Sequence, residues 1–386
     1  MTNVYQSYAD QLEQLKQKNS FRFFKNIARY GQHIVLNEQK MLNLSSNDYL
    51  GIAQDTELKQ RFLEEIPLQF QHLTSSSSRL LTGNFEEYEA LETQLSLAFN
   101  GRASLVFNSG YHMNLGILPA VADAKTLIIS DELIHASMID GIRLSKAKRA
   151  RYAHQDFTQL ETLIQQAMDD AEVNRIIIVT ESVFSMDGDI TDLVTLVSLK
   201  KKYPKVMLYV DEAHAIGVYG QRGLGCAEQS HCIAEIDFLV GTFGKALASI
   251  GGYIICEQVI KDYLINTMRP LIFSTAQAPI NMAWTSYVFE HMQHLQSARE
   301  NLYQLGQMLK QHIITKGYDC PSQSHIVPII YGDNQVTLDK AKQMQDAGFY
   351  VLPIRPPTVP VGTSRIRVCL HADLKWDQLE PLIQHL

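Results

Sequence analysis

Six short, unbroken apolar runs rich in β-branched side chains recur between helical stretches of this chain: SLVF (104–107), TLIIS (126–130), RIIIVTE (175–181), VMLYVDE (206–212), DFLVGTF (237–243) and GGYIIC (251–256). Segments such as 156–170 and 192–202 between them repeat their apolar positions at helical spacing. Short unbroken strands alternating with helices predict a mostly parallel sheet covered on both faces. In such sheets ligands bind beyond the C-terminal ends of the strands, so those ends are where chemistry is sought.

The flanking segments read differently. Leu12 and Leu15 stand among Gln, Lys and Glu, which predicts a short amphipathic helix leaning on something else rather than forming its own domain. YEALETQLSLAF (88–99) is helical in spacing and meets the stop signal Asn100-Gly101. After Pro270 the pattern changes, with a long helical stretch at 280–316 and a mixed segment at 325–386. The expected organisation is an N-terminal arm (1–45), a large α/β domain (46–280) and a smaller C-terminal α+β domain (281–386). A length of 386 residues fits two or three domains.

Composition excludes several classes. The balance of 34 basic against 41 acidic residues, net −7, gives no reason to expect nucleic-acid binding. No apolar run approaches the roughly 18 residues that span a bilayer, and the first twenty residues are too polar for a signal peptide. Five scattered cysteines, an odd number, do not form the framework of a small secreted domain. Cys226 and Cys232 with His231 match no ordinary zinc spacing, and no metal is expected. A cytoplasmic protein is the reading, with Ser75–Ser78 as a solvated loop.

Asp211 ends one apolar run and His214 follows three positions later, within DEAH. An Asp there is often a helix N-cap. An ATPase box would need a GxxxxGK[ST] loop earlier in the chain. The Gly244-Lys245 pair comes later, precedes Ala246 and has Leu239 in place of the first glycine, so that reading fails. Lys245 follows the next strand, flanked by Gly and Ala, a poor setting for a solvated charge. A partly buried lysine is a nucleophilic amine suited to a Schiff base. An Asp on a neighbouring strand end can protonate the pyridine nitrogen of pyridoxal phosphate (PLP). Ser109-Gly110-Tyr111, leading into a helix, and Thr242 offer hydroxyl and N–H groups for a phosphate.

The set VFSMDGD (183–189), VDEAHAIGVYGQRGLG (210–225), GTFGKA (241–246) and FSTAQAP (273–279) resembles the α-oxoamine synthases, fold-type-I PLP enzymes that condense an amino acid with an acyl thioester. The likeness runs from about Arg22 to the C-terminus. NLSSNDYLGI (43–52) and IRPPTVPVGTSRIRV (354–368) look most like the branch that joins L-alanine to a pimeloyl thioester in biotin synthesis.

The resemblance implies roles. Lys245 would carry the cofactor and move the Cα proton, Asp211 would pair with the ring nitrogen, and His214 with the phenolic oxygen. His135 would lie on the ring face and Ser185 beside the ring. Backbone at Gly110 and Tyr111, with Thr242, would hold the phosphate, and Ser274 and Thr275 would reach the phosphate of the partner subunit in a homodimer. Arg367 would bind the amino-acid carboxylate through a two-pronged contact. Arg365 lies on the same strand face, and spacing leaves the two open. Arg22 and Thr358 match positions that contact the acyl substrate, with Asn47 near that pocket. The acyl donor would be pimeloyl-CoA or pimeloyl-acyl carrier protein.

Each residue also has a plain structural reading. Tyr111 could be core, Ser185 could cap a turn, and Thr358 could shape a proline-rich loop. Arg79 reads as a surface arginine. The family's glycine-rich stretch is here Thr74–Ser78, which predicts a differently shaped loop near the acyl channel. His112 stands where a small residue is usual. The alternatives are a sister enzyme joining glycine to acetyl-CoA, an aminotransferase of the same fold, and an ATP-driven role resting on DEAH.

Overall fold

A computed structural model describes residues 4–68 and 71–386. Residues 1–3 of the expected arm lie outside the described part. Contacts divide the chain into two units. The larger comprises Asn47–Ser185 and Asp189–Glu300; the smaller comprises the chain up to Ser46, Met186–Gly188 and Asn301–Leu386.

The larger unit is built on seven strands: β1 (Ala103–Phe107), β2 (Thr126–Asp131), β3 (Lys148–Tyr152), β4 (Arg175–Glu181), β5 (Val206–Asp211), β6 (Phe238–Thr242) and β7 (Gly252–Cys256). Their order is β1-β7-β6-β5-β4-β2-β3. Only β7 runs against its neighbours, antiparallel to both β1 and β6, so the sheet is mostly parallel. Six strands fall on the six apolar runs. The seventh, β3, reads KRARY and shows no apolar signal, because it is an edge strand whose outward positions are charged.

Two helices of this unit lead away from strand ends: α1 (Gly110–Val121) and α2 (Ala136–Leu144). Met113, Ile117 and Leu118 of α1 and Met138 of α2 pack on Ile128, Ile177, Val179, Tyr209 and Val240 of the sheet, all buried. Full burial stabilises each such side chain by about 1.5–3 kcal/mol. The helices cross closely because residue 141 is glycine. A Cβ there would lie 2.4 Å from the carbonyl oxygen of Asn114, a clash with backbone that no rotamer relieves.

The smaller unit carries a four-stranded sheet (Ala28–Tyr30, His33–Leu36, Gln39–Asn43, Phe349–Tyr350) and a three-stranded antiparallel one (Ile326–Gly332, Ser364–Cys369, Pro353–Ile354). The N-terminal strands therefore cluster with the C-terminal segment instead of standing alone, and the second break falls at Asn301. The helical stretch expected at 280–316 is two helices, Pro279–Gln293 and Gln296–Thr315. The N-terminal helix forms over Gln6–Gln17 but buries none of its residues, with Leu12 48% and Leu15 41% exposed. Two leucines give too small an apolar face to hold a helix that is marginal by itself in water. Among the described residues no helix is long and apolar enough to cross a membrane.

Candidate active site

The sheet ends bring Asp211, His135, His214 and Lys245 of the larger unit together. Asp211 closes β5 and is buried. Its Oδ2 accepts from Asn114 Nδ2 (2.8 Å) and its Oδ1 from the Ala213 N–H (2.8 Å). Asn114 is itself oriented, since its Oδ1 accepts from the Tyr209 hydroxyl (2.5 Å) and its amide also reaches Ser137 Oγ (3.0 Å). Ser137 in turn lies 2.8 Å from His135 Nδ1.

This network fixes the tautomer of His135. The residue caps α2, and its Nδ1 accepts from the Ser137 N–H (3.2 Å). With Asn114 donating to Ser137 Oγ, the serine proton is free to point at Nδ1, which leaves the imidazole proton on Nε2. The residue as a whole is exposed. Even so, desolvation by the surrounding protein, with Lys245 adding to it against Asp211 and Asp140, lowers its pKa. The ring is therefore neutral at pH 7. Tyr111 meets it edge to face at 6.4 Å. Tyr111 is exposed rather than core, and its hydroxyl donates to Asp140.

His214 is buried and bonded at both ring nitrogens. Its Nδ1 lies 2.6 Å from the hydroxyl of buried Tyr49 and its Nε2 lies 2.7 Å from Lys245 Nζ. Tyr49 also donates to Asn47 Oδ1 (3.0 Å). The DEAH acids separate here. Glu212, fully buried, accepts from Ser182 Oγ (2.6 Å) and from the N–H groups of Cys226 (3.0 Å) and Ala227 (2.7 Å), so it anchors the next helical turn. Burial pushes its carboxyl up to about 7. An acid spent on three donors is no metal ligand, and the ATPase reading loses its second carboxylate. Beside Asp211 on β4, burial and then the Asp211 charge push Glu181 up to about 8.

The phosphate-binding expectation has a matching shape. Ser109 caps α1 by accepting from the His112 N–H (3.1 Å), while the helix ladder leaves the N–H groups of Gly110 and Tyr111 without intrahelical partners. Thr242, at the end of β6, comes so close to Gly110 that a Cβ on residue 110 would lie 3.4 Å from its side chain. Thr242 Oγ1 donates to Gly251 O (2.8 Å) and accepts from the Gly244 N–H (3.2 Å). Orphan helix N–H groups beside a buried hydroxyl, an amine, and a buried carboxylate on the next strand fit PLP.

Ser185 is half-buried in the turn after β4. Ser274 is half-buried and Thr275 exposed, in a loop where Thr275 O accepts from Asn108 Nδ2 (2.7 Å). The serine run is strapped to that loop, not loosely solvated. Ser75 Oγ donates to Ala276 O (2.6 Å), and Ser78 bridges Thr275. Arg79 is not a surface arginine. Its side chain is 12% exposed and pairs with Glu92 (2.7 Å) and Val106 O (3.1 Å), sharing with Lys261 (2.8 Å) the compensation of the buried Glu92 carboxylate.

In the smaller unit, Arg22 Nη2 donates to Thr358 Oγ1 (2.9 Å) across 336 positions of sequence. Arg355, which sequence reasoning passed over, lies beside them and donates to Asn19 O. Burial, then the neighbouring Arg22 charge, lowers its pKa. Arg365 is buried and committed to Asp187 and Thr363 O, whereas Arg367 is half-buried with Nη1 2.8 Å from Cys369 Sγ. Tyr49, Asn114, Ser137 and Arg355 were all missed. Asn114, one amide in the apolar helix GYHMNLGIL, was the most readable signal among them.

The chain is similar over nearly its whole length to several known proteins. A relative in Pasteurella multocida (strain Pm70), provisionally named 8-amino-7-oxononanoate synthase, is 55% identical over 377 residues, covering 97% of each chain. One of the same provisional name in Glaesserella parasuis serovar 5 is 54% identical over 386 residues, covering 100% of each. Among solved structures, the serine palmitoyltransferase of S. paucimobilis with PLP and myriocin bound has a TM-score of 0.88 at 26% identity, covering 99% of this chain and 96% of that one. The 8-amino-7-oxononanoate synthase of Francisella tularensis has a TM-score of 0.75 at 25% identity, covering 89% and 96%.

Fold and site together define a fold-type-I enzyme whose cofactor is PLP. A sequence model of aminotransferase class I and II matches residues 39–386. The chain belongs to that family and, within it, to the 8-amino-7-oxononanoate synthases, PLP-dependent enzymes of the acyltransferase type.

Proposed function

We propose that this protein condenses L-alanine with a pimeloyl (6-carboxyhexanoyl) thioester, releasing CO₂ and the carrier thiol and forming 8-amino-7-oxononanoate for biotin synthesis. The cluster of Lys245, His214 and Asp211 at adjacent strand ends carries the reading, together with the names of the full-length relatives.

PLP bound in this cluster supplies an electron sink for the pair left when the amino acid's Cα–H bond breaks. Every other part belongs to the chain. The Gly110 and Tyr111 N–H groups and the Thr242 hydroxyl hold the phosphate, and Ser274 and Thr275 do the same across a homodimer. Asp211 keeps a proton on the pyridine nitrogen, since an opposite charge a few ångströms away favours the charged form. His214 binds the phenolic oxygen. His135, neutral and with its proton on Nε2, covers one ring face, and Ser185 bonds beside the ring.

Lys245 holds the cofactor and then takes and returns the Cα proton. Arg367 clamps the alanine carboxylate, and the commitment of Arg365 to Asp187 supports that choice. Arg22 and Thr358 receive the far end of the acyl chain, with Asn47 lining the way. Their hydrogen bond supports a shared role, because a guanidinium beside a hydroxyl is a ready carboxylate site. Alignment of this kind supplies about 7–11 kcal/mol of a barrier. A cytoplasmic location fits thioester substrates.

The test is product formation with L-alanine, glycine and L-serine, each offered with pimeloyl-CoA, pimeloyl-acyl carrier protein and acetyl-CoA. Turnover with L-alanine and a pimeloyl thioester is expected. Preference for glycine and acetyl-CoA, or keto-acid formation without any thioester, would overturn the reading.

A further inference from the structure

His154 stands at the end of β3, the strand the sequence concealed. Its imidazole reaches two buried carboxylates on separate segments. Nδ1 lies 3.0 and 3.1 Å from the two oxygens of Asp131, at the end of β2, and Nε2 lies 2.7 Å from Asp189 Oδ2, just past the turn that follows β4. The next residue repeats the grip. The Gln155 N–H donates to Asp131 Oδ2 (3.0 Å), and its side-chain amide donates to Asp189. To do so Gln155 holds φ at +57°, a left-handed conformation that L side chains rarely adopt. The His154 N–H donates to Glu132 Oε1 (3.0 Å), and the ring packs edge to face on Phe184 at 4.4 Å.

Each aspartate is bonded to a loop of the site, Asp131 through its carboxylate and Asp189 through its backbone carbonyl. Asp131 Oδ1 accepts from the Leu133 N–H (2.9 Å), which starts the loop leading to His135. Asp189 O accepts from the Phe184 N–H (3.0 Å), and Val183 bridges Ile190, closing the turn that carries Ser185. Two buried acids on either side of one imidazole would repel without a cation between them.

We propose that His154 is a positioning residue for the cofactor site: by bridging Asp131 and Asp189 it ties the loop bearing His135 to the turn bearing Ser185. The inference rests on the reading of those two residues as cofactor contacts. His154 acts through the two loops, and its protonated state, favoured by both carboxylates, matters because only a ring with two N–H groups can donate to both sides.

The experiment compares full-length wild type with His154→Gln and Asp189→Asn. It measures PLP stoichiometry, visible circular dichroism per bound PLP, thermal midpoint, and kcat and KM for L-alanine. In His154→Gln, kcat is expected to fall by about 10- to 100-fold, the scale of a misplacement near 1 Å. KM for L-alanine should stay within about threefold, since the carboxylate clamp is untouched. Circular dichroism per bound PLP should fall with it, because the ring is held less rigidly. Asp189→Asn should move the same readouts in the same direction.

A purely structural role would lower the thermal midpoint and leave kcat and circular dichroism per bound PLP unchanged in both variants. That result overturns the proposal while the wild type remains a PLP enzyme. A wild type that takes up no PLP would overturn the underlying reading as well, and the two failures are told apart by the wild-type spectrum.

Discussion

Lys245 Nζ lies 2.7 Å from His214 Nε2. Where Lys245 is an ammonium it can only donate, so Nε2 then accepts and the imidazole proton sits on Nδ1. Nδ1 then donates to Tyr49, and Tyr49 donates to Asn47. In that state the direction of every bond in this row follows from the lysine's donating; a neutral amine would accept from Nε2 and reverse the tautomer.

Lys245→Ala removes the amine on which the proposed proton transfer depends. Turnover should be lost, while the thermal midpoint stays close to wild type because the ends of β5 and β6 keep their other bonds. Borohydride treatment of yellow wild-type protein should leave label on Lys245. Activity near wild type in the variant would refute the assignment.

Tyr49→Phe leaves one His214 nitrogen without its buried partner. One hydrogen bond of about 0.5–1.5 kcal/mol corresponds to a loss of roughly 3- to 10-fold. Steady-state kinetics should show that loss in kcat/KM, with a shifted visible band from bound PLP.

Asp211→Asn keeps shape and most hydrogen bonding but removes the charge. An ionised partner changes such a protonation equilibrium by about 10- to 1,000-fold, so kcat should fall within that range while PLP still binds. Absorbance titration with PLP, run beside the kinetics, separates the two effects.

Arg365 and Arg367 share a strand face and should fail differently. Arg365→Ala strands Asp187, whose carboxylate keeps 17% exposure. Stability should drop toward the low end of about 3–5 kcal/mol. Arg367→Lys should instead raise the KM for alanine with little change in the denaturation midpoint, since an ammonium cannot make the bidentate contact. Urea unfolding and KM values for both variants decide the point.

The His154 clamp predicts a pH dependence of stability. Burial opposes its charge, but hydrogen bonds to Asp131 and Asp189 outweigh burial and raise its pKa to about 10. Glu132 and Tyr152 are the other titratable groups packed around it, and Tyr152 is itself pushed up by burial and then by Asp131. A folded-state value above the unfolded one, near 6.5, means the contribution is complete below about pH 6.5. It is lost as pH rises through about 10. The gap in denaturation midpoint between wild type and His154→Gln should therefore narrow across that window. A gap independent of pH would contradict it.

The sequence by itself determined the sheet and most of the chemistry at its edge. Unbroken β-branched runs have one good solution, burial on both faces, and Asp211, Thr242 and Lys245 follow because they end those runs. Motif resemblance supplied the cofactor. Tertiary structure decided what depends on contacts between distant positions: that Glu212 anchors a helical turn while its neighbour Asp211 faces the site, that Arg79 is spent on Glu92, that Arg365 is spent on Asp187, and that Asn114 and Ser137 set the tautomer of His135. It also revealed β3, because an edge strand can be charged on its outward positions and so carries no apolar signature. Local propensity is a property of neighbours in sequence, whereas the charge state and orientation of a side chain are set by partners that only folding brings within 3 Å or so.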